Sequence, residues 1–299
     1  MYSLEGSEYP STFIVTQKIS INLANRLQVS FHKLLKEFFT FFKFMGLAYG
    51  SAPPIISINL SNREIINPVT NTPYEVQLLY ESRYVNRKYK SGRNDYYFLF
   101  SYEKIQNQFP EIIKKWFEIF EIVGPTIDIL NEFLLNRQIT TDTMMIRITQ
   151  ALESYHRELY TDHLSDEENA DKQTLQNLIE QSPEYKEWLE EKFKYGFGRN
   201  LRGRLLDLMN DIPEHILEQL GLKLRNDKTK FAFKVVSSRN YYTHYGKESK
   251  VHKLSSGELI KAVHKLKVFL ICLLLKRLGF NNDEILKMVQ MHKVYPFAT

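Results

Sequence analysis

The residues best suited to chemistry lie in one short segment, Arg239-Asn-Tyr-Tyr-Thr-His244. An arginine guanidinium is a permanent, forked hydrogen-bond donor that can hold a phosphate and the extra negative charge of its transition state. A histidine imidazole can take or give a proton near neutral pH. On RNA the neighbouring 2′-hydroxyl is a built-in nucleophile. The pair therefore suits phosphodiester cleavage without a metal ion, with Arg239 on the phosphate and His244 as general acid and base.

The residues between and after this pair extend the candidate site. Asn240 can orient the imidazole or a phosphate oxygen, and we count it as a third catalytic residue. The aromatic rings of Tyr241 and Tyr242 can stack on bases. The loop that follows is basic and offers further RNA contacts, at Lys247, Lys250 and Lys253.

Spacing alone does not single out this segment, because the loose pattern of an arginine and a histidine with four to six residues between them also fits Arg26…His32 and Arg157…His163. The surroundings do distinguish it. From Arg239 to Arg277 there are nine Lys or Arg residues against two Asp or Glu, whereas residues 162–191 carry ten acids against two lysines. A basic stretch of this kind favours contact with a polyanion such as RNA.

Four residues elsewhere are candidates for supporting roles. Glu153 and His156 lie three residues apart on a predicted helix and point the same way, so they can support the Arg–His pair from behind or form a structural pair. Arg202 and Arg204 are candidate RNA phosphate contacts, with salt bridges to the acidic segment as the alternative. No spacing typical of metal ligands is present, so we expect no metal and no cofactor.

The second half of the chain reads as helical almost throughout. Apolar residues recur at helical spacing, and prolines, capping residues and glycines mark the ends. Ser255 and Glu258 form a capping box that begins a long helix, and Gly279 ends it. Residues 161–172 are polar and acidic and are predicted to be a loop. The predicted helices begin near Pro110, Pro125, Thr141, Ser182, Asn200, Pro213, Lys228, Ser255 and Asn281.

The first half is mixed. Period-2 alternation of apolar and polar residues predicts strands around residues 56–60, 76–80 and 96–102. Helical spacing predicts one helix over residues 25–45. The fold class is therefore α+β, with a β-rich N-terminal part (residues 1–108) followed by a larger all-α helical bundle (residues 109–299).

Composition limits the classes of protein to consider. The chain of 299 residues is 43% hydrophobic with a formal charge of +5, which is typical of a globular domain. A single cysteine, Cys272, favours a reducing compartment, and we expect a cytoplasmic protein. The longest apolar run, Val268 to Leu275, is far short of the ~20 residues that span a bilayer, so no membrane partner is expected. That run is apolar on every side and must be enclosed, by its own bundle or by a second subunit.

The Arg239–His244 segment, placed near the end of an all-helical region, resembles the signature of HEPN domains. Three segments make the chain most similar to the ApeA-like HEPN proteins of bacterial abortive-infection (anti-phage) defence. They are Ala151-Leu-Glu-Ser-Tyr-His-Arg157, Arg202-Gly-Arg-Leu-Leu-Asp-Leu208 and Ser237-Ser-Arg-Asn-Tyr-Tyr-Thr-His-Tyr-Gly246. The resemblance covers roughly residues 110–295, and residues 1–108 resemble the later part of the β-rich domain that precedes it in that family.

The resemblance implies a metal-independent endoribonuclease. It implies a homodimer whose two Arg–His pairs face each other in one cleft and leave a cyclic phosphate on the RNA. The expected partners are an RNA substrate, with tRNA as one candidate, a second copy of the chain and a phage-derived trigger. Two alternatives stay open: a non-catalytic helical module that binds RNA or a protein partner, and a purely structural dimerisation bundle. The sequence names neither the RNA that is cut nor the activating signal.

Overall fold

The computed structural model describes residues 30–50, 55, 57–78, 98–135, 139–160, 166–193, 199–245 and 251–291. Two antiparallel strands, β1 (Ile58–Ile66) and β2 (Pro73–Leu78), pair with Ile58 opposite Leu78 and are joined by a turn over residues 67–72. All other regular elements of the described residues are helical. The helices are α1 (Phe31–Tyr49), α2 (Tyr102–Ile105), α3 (Phe109–Leu135), α4 (Thr141–Leu159), α5 (Asp166–Glu180), α6 (Lys186–Phe193), α7 (Leu201–Asn210), α8 (Glu214–Gln219), α9 (Arg225–His244), α10 (Ser256–Leu278) and α11 (Asn282–Met291).

These elements confirm the α+β class. The chain divides into two compact units, residues 1–39 and 40–299. The second unit contains both strands and every helix from α2 onward, so the helical bundle belongs to it. The boundary predicted between residues 108 and 109 stays a prediction. Among the described helices, none combines the length and the apolar character that crossing a membrane needs.

Helix α4 is the centre of the bundle, because α3, α7, α9 and α10 all pack against it. Its apolar face matches the sequence pattern. Met145, Ile148, Leu152 and Tyr155 are each fully buried at 0% exposure. A helix that is covered on several sides positions its polar residues rigidly, and His156 is such a residue on α4.

Helix α10 begins and ends where the sequence predicts. The side-chain and backbone groups of Ser255 and Glu258 form the capping box, and Gly279 follows the last turn with φ of +102°. The apolar run Val268–Leu275 is at most 4% exposed within a single copy of the chain. Its own bundle therefore encloses it, and no second subunit is needed to cover it.

The segments predicted to begin at Pro110 and Pro125 both lie within α3, and the break between them is present as a kink at Val123 (φ −119°, ψ 29°), because Pro125 lacks the N–H that the preceding turn needs. Two other predictions of local structure are wrong. Residues 166–172 are helical rather than a loop. Residues 98–101 form no strand; instead Leu99 N–H donates to the Ala48 carbonyl at 2.8 Å, and α2 begins at Tyr102.

Candidate functional site

The Arg239–His244 segment forms the last turns of helix α9. Helix α9 extends to His244, and Tyr245 ends it in the left-handed conformation at φ +52°. Thr243 Oγ1 donates to the Arg239 carbonyl, four residues earlier in α9, at 2.7 Å. His244 is exposed on this last turn, so its imidazole is accessible to a substrate.

Arg239 and Asn240 contact each other directly. Arg239 Nη1 donates to Asn240 Oδ1 at 3.1 Å. A helix turns by about 100° per residue, so the Cβ atoms of Arg239 and His244 point about 140° apart, whereas Asn240 and His244, four residues apart, share a face. The hydrogen bond to Asn240 thus turns the guanidinium toward the side of α9 that carries His244.

Tyr241 and Tyr242 are half-buried and already in contact with other side chains. Their rings meet edge to face at 5.1 Å, and Tyr245 meets Tyr241 in the same way at 5.6 Å. Lys253 Nζ lies 5.0 Å from the Tyr241 ring centre and 5.8 Å from that of Tyr242. A base that stacks on these rings must therefore share them with this ammonium group.

His156 is 1% exposed and lies between helices α4 and α7. Its Nε2 is 3.1 Å from Asp207 Oδ2, and its Nδ1 is 2.9 Å from Arg204 Nη1. Asp207 in turn accepts two hydrogen bonds from Arg199, from Nε at 3.0 Å and from Nη2 at 2.9 Å. We call His156, Arg199, Arg204 and Asp207 the α4–α7 polar cluster.

Local sequence places this cluster. Asn200 caps α7 by accepting from Gly203 N at 2.8 Å, so the helix begins at Leu201 and Arg199 directly precedes the cap. A Cβ on Gly203 would lie 2.8 Å from Arg199 Nε, so the absence of a side chain there lets the Arg199 guanidinium pass over α7 toward Asp207. Sequence reasoning did not name Asp207, although it follows Arg204 by three residues and therefore shares its face.

The cluster corrects one predicted role. Arg204, expected to contact RNA, is 4% exposed, and its guanidinium also donates to the Arg199 carbonyl at 2.8 Å. Its charge is used inside the protein, so Arg204 does not present a phosphate contact. Arg202 is exposed, with its guanidinium 5.8 Å from the Phe233 ring of α9. Glu153 is half-buried and pairs with Arg157 at 2.7 Å.

A second group of polar side chains adjoins this cluster. The Tyr160 ring stacks on that of His156 at 4.8 Å, and its hydroxyl donates to Asp211. Burial raises the pKa of Tyr160, and the bond to Asp211 raises it further. Burial opposes ionisation of Asp211, but hydrogen bonds from Lys276 and Tyr160 outweigh it and lower the Asp211 pKa. These groups connect α4, α7 and α10 through polar contacts.

Two predicted RNA contacts, Lys247 and Lys250, lie outside the described residues. Within the part of the chain that the structure describes, no three His, Cys, Asp or Glu side chains are grouped so as to hold a metal ion.

Comparison with known proteins identifies the family. Residues 146–284 match the family profile Apea-like HEPN, a range that contains α4 from Ile146 onward, the polar cluster and the whole Arg239–His244 segment. Residues 1–116 match the profile ApeA N-terminal domain 1. No curated protein and no solved structure matches the chain. The chain belongs to the ApeA-like HEPN proteins.

Proposed function

We propose that this protein is a metal-independent endoribonuclease that acts in anti-phage abortive infection. Arg239 holds the scissile phosphate, Asn240 orients Arg239, and His244 transfers protons. The observation that carries the proposal is the Arg239–Asn240 hydrogen bond of 3.1 Å beside an exposed His244 on the final turn of α9. It gives a fixed cation and an accessible imidazole on one side of a helix end.

The reaction needs no group beyond these and the RNA itself. His244 takes the proton of the 2′-hydroxyl, the oxygen attacks the adjacent phosphorus, and the bond from phosphorus to the 5′-oxygen breaks. The leaving oxygen receives a proton from an imidazolium, and the products are a 2′,3′-cyclic phosphate and a 5′-hydroxyl. Arg239 stabilises the additional negative charge that the phosphate carries in the transition state.

The proposal includes a second copy of the chain. One histidine per copy serves poorly as both base and acid in a single step, whereas a homodimer with two α9 ends in one cleft supplies both. The RNA substrate, with tRNA as a candidate, and a phage-derived trigger complete the proposed setting.

Purified protein incubated with total RNA in EDTA tests this proposal. We expect cleavage products that end in a cyclic phosphate. His244→Ala should lower the cleavage rate by about 10²-fold or more, the range of general acid–base catalysis, and Arg239→Ala by about 10²- to 10³-fold, the range for loss of a transition-state charge donor. Asn240→Ala keeps the guanidinium but releases it, so a smaller loss of about tenfold is expected.

Matched variants control for charge and fold. Arg225→Ala removes an exposed arginine from the other end of the same helix, and His215→Ala removes an exposed histidine from α8. Both should cleave at the wild-type rate. Cleavage that requires an added divalent ion, or that persists in the Arg239 and His244 variants, contradicts the mechanism. Salt-dependent RNA binding without cleavage would instead favour a non-catalytic RNA-binding module.

A further inference from the structure

Ser238 directly precedes the Arg239–His244 segment and is fully buried at 0% exposure. Its hydroxyl donates to the Lys234 carbonyl at 2.8 Å, one turn earlier in α9. The same oxygen accepts from Leu254 N at 2.8 Å. Ser238 therefore joins α9 to a segment sixteen residues further along the chain.

That segment, residues 251–254, returns along α9 and contacts it at three successive residues. The His252 ring meets Phe233 at 5.4 Å. Lys253 lies over the Tyr241 and Tyr242 rings at 5.0 and 5.8 Å. Leu254 is buried and bonded to Ser238 through its backbone. We call residues 251–254 the return segment.

The chain is fixed immediately beyond the return segment as well. The capping box of α10 holds Ser255 and Glu258 together, and Lys234 Nζ pairs with Glu258 Oε1 at 3.0 Å. Lys234 lies one turn before Ser238 on the same face of α9. Both contacts anchor the return segment to this face, and the Ser238 bond is the one that fixes its backbone.

We propose that Ser238 is a positioning residue for RNA binding: it pins the return segment so that Lys253 is held beside the Arg239–His244 segment as a phosphate contact. The inference rests on the proposed function in that RNA is the ligand. It adds a residue, Ser238, that touches no RNA and acts through Lys253.

Three physical considerations support this arrangement. A lysine side chain loses rotamer entropy when it binds, so an ammonium that two tyrosine rings already hold binds a phosphate at lower cost. Tyrosine faces also attract a cation without neutralising it, so the positive charge of Lys253 remains available. A buried serine that satisfies a backbone N–H fixes the position of that segment more strictly than apolar packing alone.

The salt dependence of RNA binding tests the proposal. The probe is a short fluorescein-labelled single-stranded RNA with 2′-O-methyl riboses, which lack the nucleophile and cannot be cleaved. Loss of one phosphate contact should make the slope of log affinity against log salt shallower by about 0.7 for single-stranded RNA. We expect this change for Lys253→Gln. Ser238→Ala, which leaves every charge in place, should change the slope in the same direction.

Control variants isolate the hydroxyl and the charge. Lys287→Gln removes an exposed lysine from α11, outside the basic stretch, and Ser237→Ala removes the neighbouring hydroxyl; both should retain the wild-type slope. Ser238→Thr keeps the hydroxyl and should restore it. In a double-mutant cycle, Ser238→Ala should have no further effect on binding in the Lys253→Gln protein. Among these variants, Ser238→Ala alone should show faster hydrogen exchange of the Leu254 amide than the wild-type protein.

The outcomes separate this proposal from the proposed function. If Lys253→Gln keeps the wild-type slope, or if Ser238→Ala exposes the Leu254 amide without changing the slope, the positioning role is overturned even for an active nuclease. If the slopes change as expected but wild-type protein does not cleave RNA, the positioning role stands and the nuclease mechanism fails. Should Ser238→Ala not fold, the Lys253→Gln slope still decides whether that ammonium contacts RNA.

Discussion

At the scale of single residues, the partners of His156 fix its chemical state. A guanidinium can only donate hydrogen bonds, so His156 Nδ1, 2.9 Å from Arg204 Nη1, must accept. The other nitrogen, Nε2, then carries the proton and donates to Asp207. Both ring nitrogens are occupied inside the protein. This imidazole is therefore structural, and the proposed mechanism assigns proton transfer to the exposed His244 instead.

Asp207 is the residue on which this cluster depends, because it receives hydrogen bonds from both Arg199 and His156. Asp207→Asn keeps the size and shape of the side chain but removes the only negative charge of the α4–α7 polar cluster, which contains two arginines. Breaking a fully buried pair costs about 3–5 kcal/mol. The Asp207 side chain is 29% exposed, so we expect a loss of about 2 kcal/mol in the free energy of unfolding, measured by urea denaturation.

Asp171→Asn serves as the comparison for this variant, because Asp171 is exposed on α5. Its free energy of unfolding should stay within about 0.5 kcal/mol of wild type. Equal stability of the Asp207 and Asp171 variants would show that the α4–α7 polar cluster does not hold the two helices together.

At the scale of secondary-structure elements, the end of α10 depends on one glycine. Gly279 N–H bonds to the Lys276 carbonyl at 3.1 Å and Phe280 N–H to the Leu275 carbonyl at 3.2 Å, the pair of bonds of a Schellman motif. Phe280 then packs on Phe100 with ring centres 5.3 Å apart. The motif requires the left-handed backbone that Gly279 adopts at φ +102°.

Gly279→Ala should lower the free energy of unfolding by about 1–2 kcal/mol, because an L-residue is strained at this φ. Gly257→Ala is the matched change at the other end of the same helix. Gly257 has ordinary backbone angles, and no atom lies within 4 Å of the position of a new Cβ, so alanine should stabilise the protein by about 0.5 kcal/mol. Thermal or urea unfolding measures both, and opposite signs are the expected result; a shared sign would contradict this account.

Which elements the sequence predicts depends on how much of each is buried. Helices α4 and α10 carry long apolar patterns, and both lie where those patterns place them. The sequence pattern does not predict helix α5, because among its described side chains Ile179 alone is buried. A single buried residue gives a helix no apolar periodicity. The strand predicted at 96–102 failed in its described part because Leu99 and Phe100, which are neighbours, are both buried at 2%, whereas a half-buried strand alternates.

The same limit applies to the site. The Arg239–His244 segment is visible in the sequence because its residue types are contiguous. The burial of Arg204 cannot be seen in the sequence, because its partner His156 lies 48 residues earlier on another helix. The contact of Ser238 cannot be seen there either, because it depends on the chain returning to α9 at Leu254.

At the scale of the whole molecule, the burial of α10 constrains any assembly. Its apolar run is enclosed within one copy, so a homodimer must use other surfaces. Large apolar side chains are exposed on α9, on the return segment and on the first turns of α10: Phe233, Tyr245, Val251 and Ile260. All lie on the elements that carry or adjoin the Arg239–His244 segment. A dimer with its two α9 ends in one cleft, as proposed above, can bury these side chains.

Such a dimer makes a specific prediction about which residues share a site. Because the proposed step uses the imidazole of one copy as base and the imidazolium of the other as acid, a mixed dimer with one His244→Ala copy should be as inactive as the His244→Ala dimer. Equal amounts of wild-type and His244→Ala protein, unfolded together and refolded as a mixture, give about a quarter wild-type dimers by random pairing, so cleavage should fall to about a quarter of the rate of the same total amount of wild-type protein. The mixture is assayed in EDTA beside wild-type protein refolded with His215→Ala, which should keep the full rate. If the His244→Ala mixture keeps about half of that rate while light scattering shows dimers, each copy cleaves with its own histidine alone.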